Sequence, residues 1–228
     1  MTDIDTITFE VQSKAELGSY TLLTLKTESA YPQNPGQYCI VHYKVNDQEF
    51  TRPYSIASEP REDGVIELCV LHSGDKQTAT AIQTLKNGSK LEVSPAGGRF
   101  QVPDHSSPAV FIAGGSGITP LRSMIRWRLS KSDQMTTLLY GCKNTAEIPY
   151  LEDFRSLTES HDNFRVQFYA DENQNDEIMK GHALAEISKF LDSESHYFLC
   201  GPPKMIEAAK TTFQGQGIQE AQVHTDRY

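Results

Sequence analysis

From residue 109 to the C-terminus, short apolar runs alternate with segments of helical period. "AVFIA" is followed by "PLRSMIRWRLSK", "TTLLYGC" by "IPYLEDFRSLTES", "FRVQFYA" by "HALAEISKFL" and "HYFLC" by "PKMIEAAKTTF", and "AQVHTDRY" ends the chain as a strand. Strands that read as continuous apolar runs and return through helices predict a parallel sheet covered on both faces. The first hundred residues lack this rhythm. "ITFEVQSKAEL", "YTLLTLKT", "GQYCIVHYKV", "RPYSIAS", "VIELCVL" and "KLEVSPAGGRF" are β-rich runs broken by turn clusters such as "EPREDG", with one short helix expected at "QTATAIQTL". The expected fold is therefore an antiparallel Greek-key β-barrel over residues 1–103, then a Rossmann-like α/β module over 104–228. The boundary falls near residue 104, in the polar stretch "VPDHSSPAV".

Charge and cysteine content narrow the function. A formal net charge of −9 argues against nucleic acid or an anionic membrane as partner. No apolar stretch approaches the roughly 18 residues of a membrane span, and "MTDIDTITFEVQ" lacks the basic and apolar parts of a secretory signal, so a cytoplasmic protein is expected. Cys39, Cys69, Cys142 and Cys200 lie far apart without CxxC spacing, which indicates neither a zinc site nor a chain-borne iron–sulfur cluster. Free, mostly buried thiols are expected.

Three Gly/Pro turns fall at predicted strand ends. In "GGSGITP", Gly114, Gly115 and Gly117 free the backbone. Ser116 lies among them, Thr119 is placed to cap the following helix, and Pro120 suits its first position. Alone, this run serves equally as a tight turn or as an anion seat at a helix N-terminus. "FLCGPPKM" repeats the geometry at Cys200, Gly201 and Pro202, and "YGCKN" brings Lys143 to a third strand end. In open α/β sheets ligands bind outside these carboxyl ends. From spacing alone Cys200 reads more readily as a buried structural cysteine than as a thiol at the edge of the crevice, and Lys143 more readily as a solvated loop lysine than as a ligand of phosphate or an adenine ribose.

In the first half, "RPYS" combines a cation that can fork onto a diphosphate, Arg52, with a rigid Pro53, a stacking ring, Tyr54, and a small hydroxyl, Ser55. Strand alternation puts Arg52 and Tyr54 on one side and Ser55 on the other. An edge strand with an exposed arginine and a core tyrosine explains the same residues. "HSGDKQTATA" offers Gly74, Lys76, Gln77 and Thr78 as a weaker second phosphate seat.

The order "RPYS", "GGSGITP", "YGCKN", "CGPP" resembles the ferredoxin–NADP reductase superfamily along essentially the whole chain, and within it the reductase modules of bacterial oxygenases and the flavin reductases. The resemblance implies bound FAD, or FMN, with NADH or NADPH as hydride donor. Arg52 would hold the flavin phosphate, Tyr54 would pack on the isoalloxazine, Ser55 would lie near its N5, and Gly74 to Thr78 would wrap its pyrophosphate. Gly114, Gly115, Gly117 and Thr119 would seat the nicotinamide dinucleotide's pyrophosphate, and Cys200 would sit near the nicotinamide C4. Asp226 would be the carboxylate near Ser55 and Cys200, and Tyr228 the aromatic gate over the flavin. Ser116 stands where the family more often has threonine and keeps the hydroxyl.

Three functions compete on this reading. The first is a flavoprotein reductase passing electrons to a separate ferredoxin or oxygenase component. The second is a reductase that releases flavin as a product and purifies colourless. The third is a flavin-binding regulatory subunit without turnover. The acidic "DENQNDE" near Lys143 and Lys180 favours NADH over NADPH.

Overall fold

The computed structural model describes residues 5–45, 48–72, 76–102, 106–172 and 177–227. Six strands form the first sheet: β1 (Ile7–Leu17), β2 (Tyr20–Lys26), β3 (Tyr38–Val45), β4 (Gln48–Ser55), β5 (Val65–Leu71) and β6 (Lys90–Val93). All are antiparallel, in the order β4-β3-β6-β1-β2-β5. β6 returns past β4 and β5 to lie beside β3, which is the Greek-key crossing. The sheet rolls up without closing. Its outer strands, β4 and β5, meet through one bridge, Ile56 with Leu68, and the Ala57 amide donates to the Glu67 carbonyl at 2.7 Å. Alternation sends Phe9, Val11, Leu23, Leu25, Val41, Leu68 and Val70 inward, and Ala81 and Ile82 of helix α1 (Lys76–Thr84) join that core.

The second sheet is parallel throughout. It contains β7 (Ala109–Gly114), β8 (Thr136–Asn144), β9 (Phe164–Glu172), β10 (Ile178–Lys180), β11 (His196–Cys200) and β12 (Val223–Asp226), in the order β10-β9-β8-β7-β11-β12. β7 is buried along its whole length. Phe111 faces a core with Leu121 and Met124 of α2 (Ile118–Leu129) and Phe154 of α3 (Leu151–Ser160). Val110 and Ile112 face the other, with Ile206, Ala209 and Phe213 of α4 (Pro203–Gly215).

The structure differs from expectation at four points. Residues 182–191 do not form an α-helix but turns and a short 3₁₀ turn, Ile187–Phe190. The helical spacing is nonetheless used, since Ala183, Leu184, Ile187, Phe190 and Leu191 all face the α4-side core. β10 is an added strand whose three residues carry too little pattern to announce it in the sequence. α2 also begins earlier than "ITP" implied. It starts at Ile118, so Pro120 is its third residue, still within the turn whose N–H groups need no helical partner. Thr119 does not cap the helix. Its hydroxyl donates to the Ser116 carbonyl at 2.8 Å.

Candidate functional site

The strand order reverses at β7. From there the chain moves outward through β8, β9 and β10, then returns to β11 on the other side. The carboxyl ends of β7 and β11 therefore flank a topological switch point, where open α/β sheets bind ligands. The glycine turn, a 3₁₀ turn Gly115–Gly117 feeding α2, sits at the end of β7, and Gly201-Pro202 sits at the end of β11.

The two turns are pressed together, and this is what the glycines are for. A Cβ on Gly117 would lie 2.1 Å from the Cys200 carbonyl oxygen. One on Gly114 would meet Met205 Sδ at 2.7 Å and Pro202 Cδ at 2.9 Å. Gly115 holds φ +54, in the left-handed region glycine tolerates best. The sequence leaves this bare backbone open between a sharp turn and the close approach of a ligand. In the structure Gly114 and Gly117 give their missing side-chain space to the neighbouring turn, and Gly114 also lines the crevice above.

Above this floor opens a crevice of about 950 Å³. Gly114, Gly115, Ser116, Lys143 and Pro202 line it, together with Asp171 and His182, whose Nδ1 lies 3.2 Å from an Asp171 carboxylate oxygen. Ser19, Tyr20 and Leu71 of the barrel form part of its wall, so it lies between the two modules. Sequence reasoning missed these three, along with Met205 and His182. Only Met205, which ends "FLCGPPKM", stands in a motif, and only the fold brings residues 19–20 and 71 beside residues 114–116. The donor set suits a phosphorylated nucleotide: a glycine turn opening a helix, with Lys143 and Lys204 on the rim.

Cys200 is buried at the end of β11, beneath the crevice lining rather than in it, and is paired in register with Asp226. Burial, with the Asp226 carboxylate adding to it, pushes its thiol up to about 12. It stays protonated at neutral pH and is not poised as a nucleophile. Beside it β12 is anchored by His224, which stacks on Phe198 with ring centroids 4.7 Å apart.

Arg52, Pro53, Tyr54 and Ser55 occupy the end of β4, outside the crevice lining. Phe50, Arg52 and Tyr54 share one face of β4. Tyr43 stacks on Phe50 and meets Tyr54 edge-on, and the Arg52 guanidinium carbon lies 5.5 Å from the Phe50 centroid. Phe50 and Tyr54 are half-buried on that face and pack against the barrel core, with the half-buried Arg52 beside them. Gln77 and Thr78 stand in the first turn of α1, and Lys76 begins it. Gly74 and Tyr228 lie outside the described residues.

All four cysteines are free, and Cys142 is the only one not fully buried. Among the described residues no group of His, Cys, Asp and Glu could hold a metal ion, and no helix is long and apolar enough to cross a membrane.

Comparison with known proteins divides the chain in the same way. The Oxidoreductase FAD-binding domain family matches residues 7–102, and the Oxidoreductase NAD-binding domain family matches residues 111–211. Similar curated proteins include the Phenol hydroxylase P5 protein of Acinetobacter pittii (strain PHEA-2), 32% identical over 202 residues that cover 85% of this chain and 57% of that protein. Another is the phenol 2-monooxygenase reductase component DmpP of Pseudomonas sp. (strain CF600), 32% identical over 216 residues covering 90% and 60%. The chain spans only 49–60% of the length of such relatives. Among solved structures, the flavohem-like FAD/NAD binding domain of nitric oxide dioxygenase from Vibrio cholerae O1 biovar El Tor superposes with a TM-score of 0.87 at 22% identity, covering 98% of this chain and 99% of that one. The Amycolatopsis cytochrome P450 reductase GcoB does so with a TM-score of 0.87 at 24% identity, covering 98% and 70%. At these identities the structural likeness speaks to fold.

Proposed function

Because the chain belongs to the ferredoxin–NADP reductase superfamily, we propose that it is a cytoplasmic flavoprotein reductase that takes hydride from NADH and delivers electrons to a separate oxygenase-type or ferredoxin component. The observation that carries this reading is the pair of interlocked turns at the β7 and β11 ends, flooring a crevice whose far wall belongs to the barrel. A nicotinamide nucleotide seated there is directed toward the barrel module.

Bound flavin supplies hydride acceptance and one-electron release, chemistry no side chain here provides. The chain's own residues bind and orient. Residues 1–103 serve as the flavin half, where Arg52 binds phosphate, Pro53 stiffens the strand end, Tyr54 backs the ring, Ser55 offers a hydroxyl to its reactive edge, and Gly74 with Lys76, Gln77 and Thr78 hold the pyrophosphate. Residues 104–228 serve as the nicotinamide half. The Gly114–Gly117 turn with Thr119 and Pro120 behind it seats phosphate, Lys143 adds a rim cation, and Cys200, Gly201 and Pro202 shape the nicotinamide pocket. Asp226 holds negative charge beside Cys200. Tyr228 would cover the bound flavin and keep water from its reactive face until nicotinamide binds.

NADH is the favoured donor because Asp171 lines the crevice, where its carboxylate would oppose a 2′-phosphate. The test is the absorption spectrum of the purified protein, then anaerobic NADH addition. A yellow protein bleached by NADH supports the reading. A colourless protein that reduces added flavin, or a yellow one that fails to bleach, overturns it.

A further inference from the structure

The glycine turn is rigidly continuous with α2, and α2 is tied to the barrel one turn further along. Arg122, 5% exposed, donates from Nη1 to the Ala57 carbonyl at 2.9 Å and to the Glu67 carboxylate, and from Nε to Asp153 Oδ2 at 2.7 Å. Its guanidinium carbon lies 4.1 Å from the centroid of the Tyr150 ring. Tyr150 is the one non-glycine residue with positive φ, +62, among the described residues. The Ser123 hydroxyl donates to the Ser58 carbonyl at 2.7 Å, and Arg126 Nε donates to Glu59 Oε2 at 2.7 Å. Three consecutive barrel residues, Ala57, Ser58 and Glu59, are therefore each held by a side chain of α2.

These residues continue directly from Ser55, and Arg122 follows Gly117 by little more than one helical turn. A single buried guanidinium thus links the strand end assigned to flavin with the helix whose first turn is assigned to nicotinamide phosphate. Buried ion pairs often contribute little net stability compared with well-packed apolar groups. What this planar fork adds, with two carboxylates, a carbonyl and a ring around it, is a fixed geometry.

Resting on the reading of the previous subsection, we propose that Arg122 is a positioning residue for hydride transfer, setting the separation of the flavin and nicotinamide seats. Hydride transfer needs reacting atoms about 3–3.5 Å apart, and a misplacement of about 1 Å costs roughly a hundredfold in rate. The test uses flavin-loaded Arg122→Met, Arg122→Lys and Glu67→Gln proteins. Anaerobic stopped-flow over a range of NADH concentrations separates the limiting bleaching rate from the half-saturating concentration. Arg122→Met lowers the limiting rate about 10–100-fold and moves half-saturation less than about threefold, and Arg122→Lys, which keeps the charge without the fork, falls between. Amide hydrogen exchange supplies a readout independent of turnover, with faster exchange in residues 56–60 and 114–121 and none added in α4.

Glu67→Gln gives the same pattern more weakly and carries the test if Arg122→Met does not fold. Variants that bleach at the wild-type rate, or that lose rate only through raised half-saturation, overturn the proposal. A wild-type protein that NADH does not bleach overturns the underlying reading, and this proposal with it.

Discussion

Replacing Gly117 with alanine tests whether the interlocked turns do what their geometry implies. Gly117 has φ −61 and ψ −12, a backbone that alanine adopts without strain. In open space the change would stabilise the protein by about 0.4–1 kcal/mol by restricting the unfolded chain. Here the new Cβ would sit 2.1 Å from the Cys200 carbonyl oxygen, 2.4 Å from its carbon and 2.8 Å from the Gly201 nitrogen. Ordinary contact begins at 3.4 Å, so the β11 turn must retreat by 3.4 − 2.1, about 1.3 Å, and all three obstructing atoms are backbone. Overpacking of this kind costs about 1–3 kcal/mol, which outweighs the entropic gain. The retreat also displaces Pro202 from the crevice lining, and a shift near 1 Å slows bleaching by NADH roughly a hundredfold. Denaturant unfolding and anaerobic stopped-flow read the two effects. Gly215→Ala is the control. It lies at the exposed end of α4 with nothing within 4 Å of its Cβ, and is expected to be neutral or stabilising. A Gly117→Ala protein as stable and as fast as wild type would refute the interlocking argument.

The other predictions concern pH, donor choice and the gate. Burial pushes the thiols of Cys39, Cys69 and Cys200 up to about 12 from an ordinary 9.0, so above pH 9 the unfolded chain releases protons that the folded chain keeps. Stability therefore falls as pH rises from 9 toward 12, by up to about 1.4 kcal/mol per pH unit for each thiol, and unfolding midpoints at pH 8 and pH 10 measure it. Asp171→Asn removes the crevice carboxylate and should raise kcat/KM for NADPH about tenfold while changing that for NADH little. Tyr228→Ser removes the aromatic cover and should tighten NAD⁺ binding in a spectral titration. Unchanged or weaker binding removes the gate from the mechanism.

The sequence made visible whatever depends on local pattern. β7 is legible because a strand buried on both faces must be apolar throughout, and the Gly/Pro turns mark where strands hand over to helices. The stretch 182–191 misled because its apolar residues have helical spacing, yet the chain there must fit closely against the sheet. A Cβ on Gly141 would already lie 3.2 Å from the Ala183 nitrogen, so the backbone of the segment lies directly against the end of β8. The motif residues of the crevice were legible. Its barrel wall and the α2 clamp were not, because Arg122 meets partners 55 and 31 positions away, and nothing in a charged residue's neighbourhood announces a partner at that distance.

The unclosed edge between β4 and β5 has an evolutionary reading. A barrel joined there by a single bridge has its seam covered by α2, whose Arg122, Ser123 and Arg126 grip the barrel residues lying along it. The second module is therefore part of the first one's wall. Recombination that exchanges nucleotide halves between related reductases must carry α2 and its matching acidic residues, Glu59 and Glu67, as one unit. A chimera joined in the linker near residue 104 without that match inherits two intact motifs and a split seam.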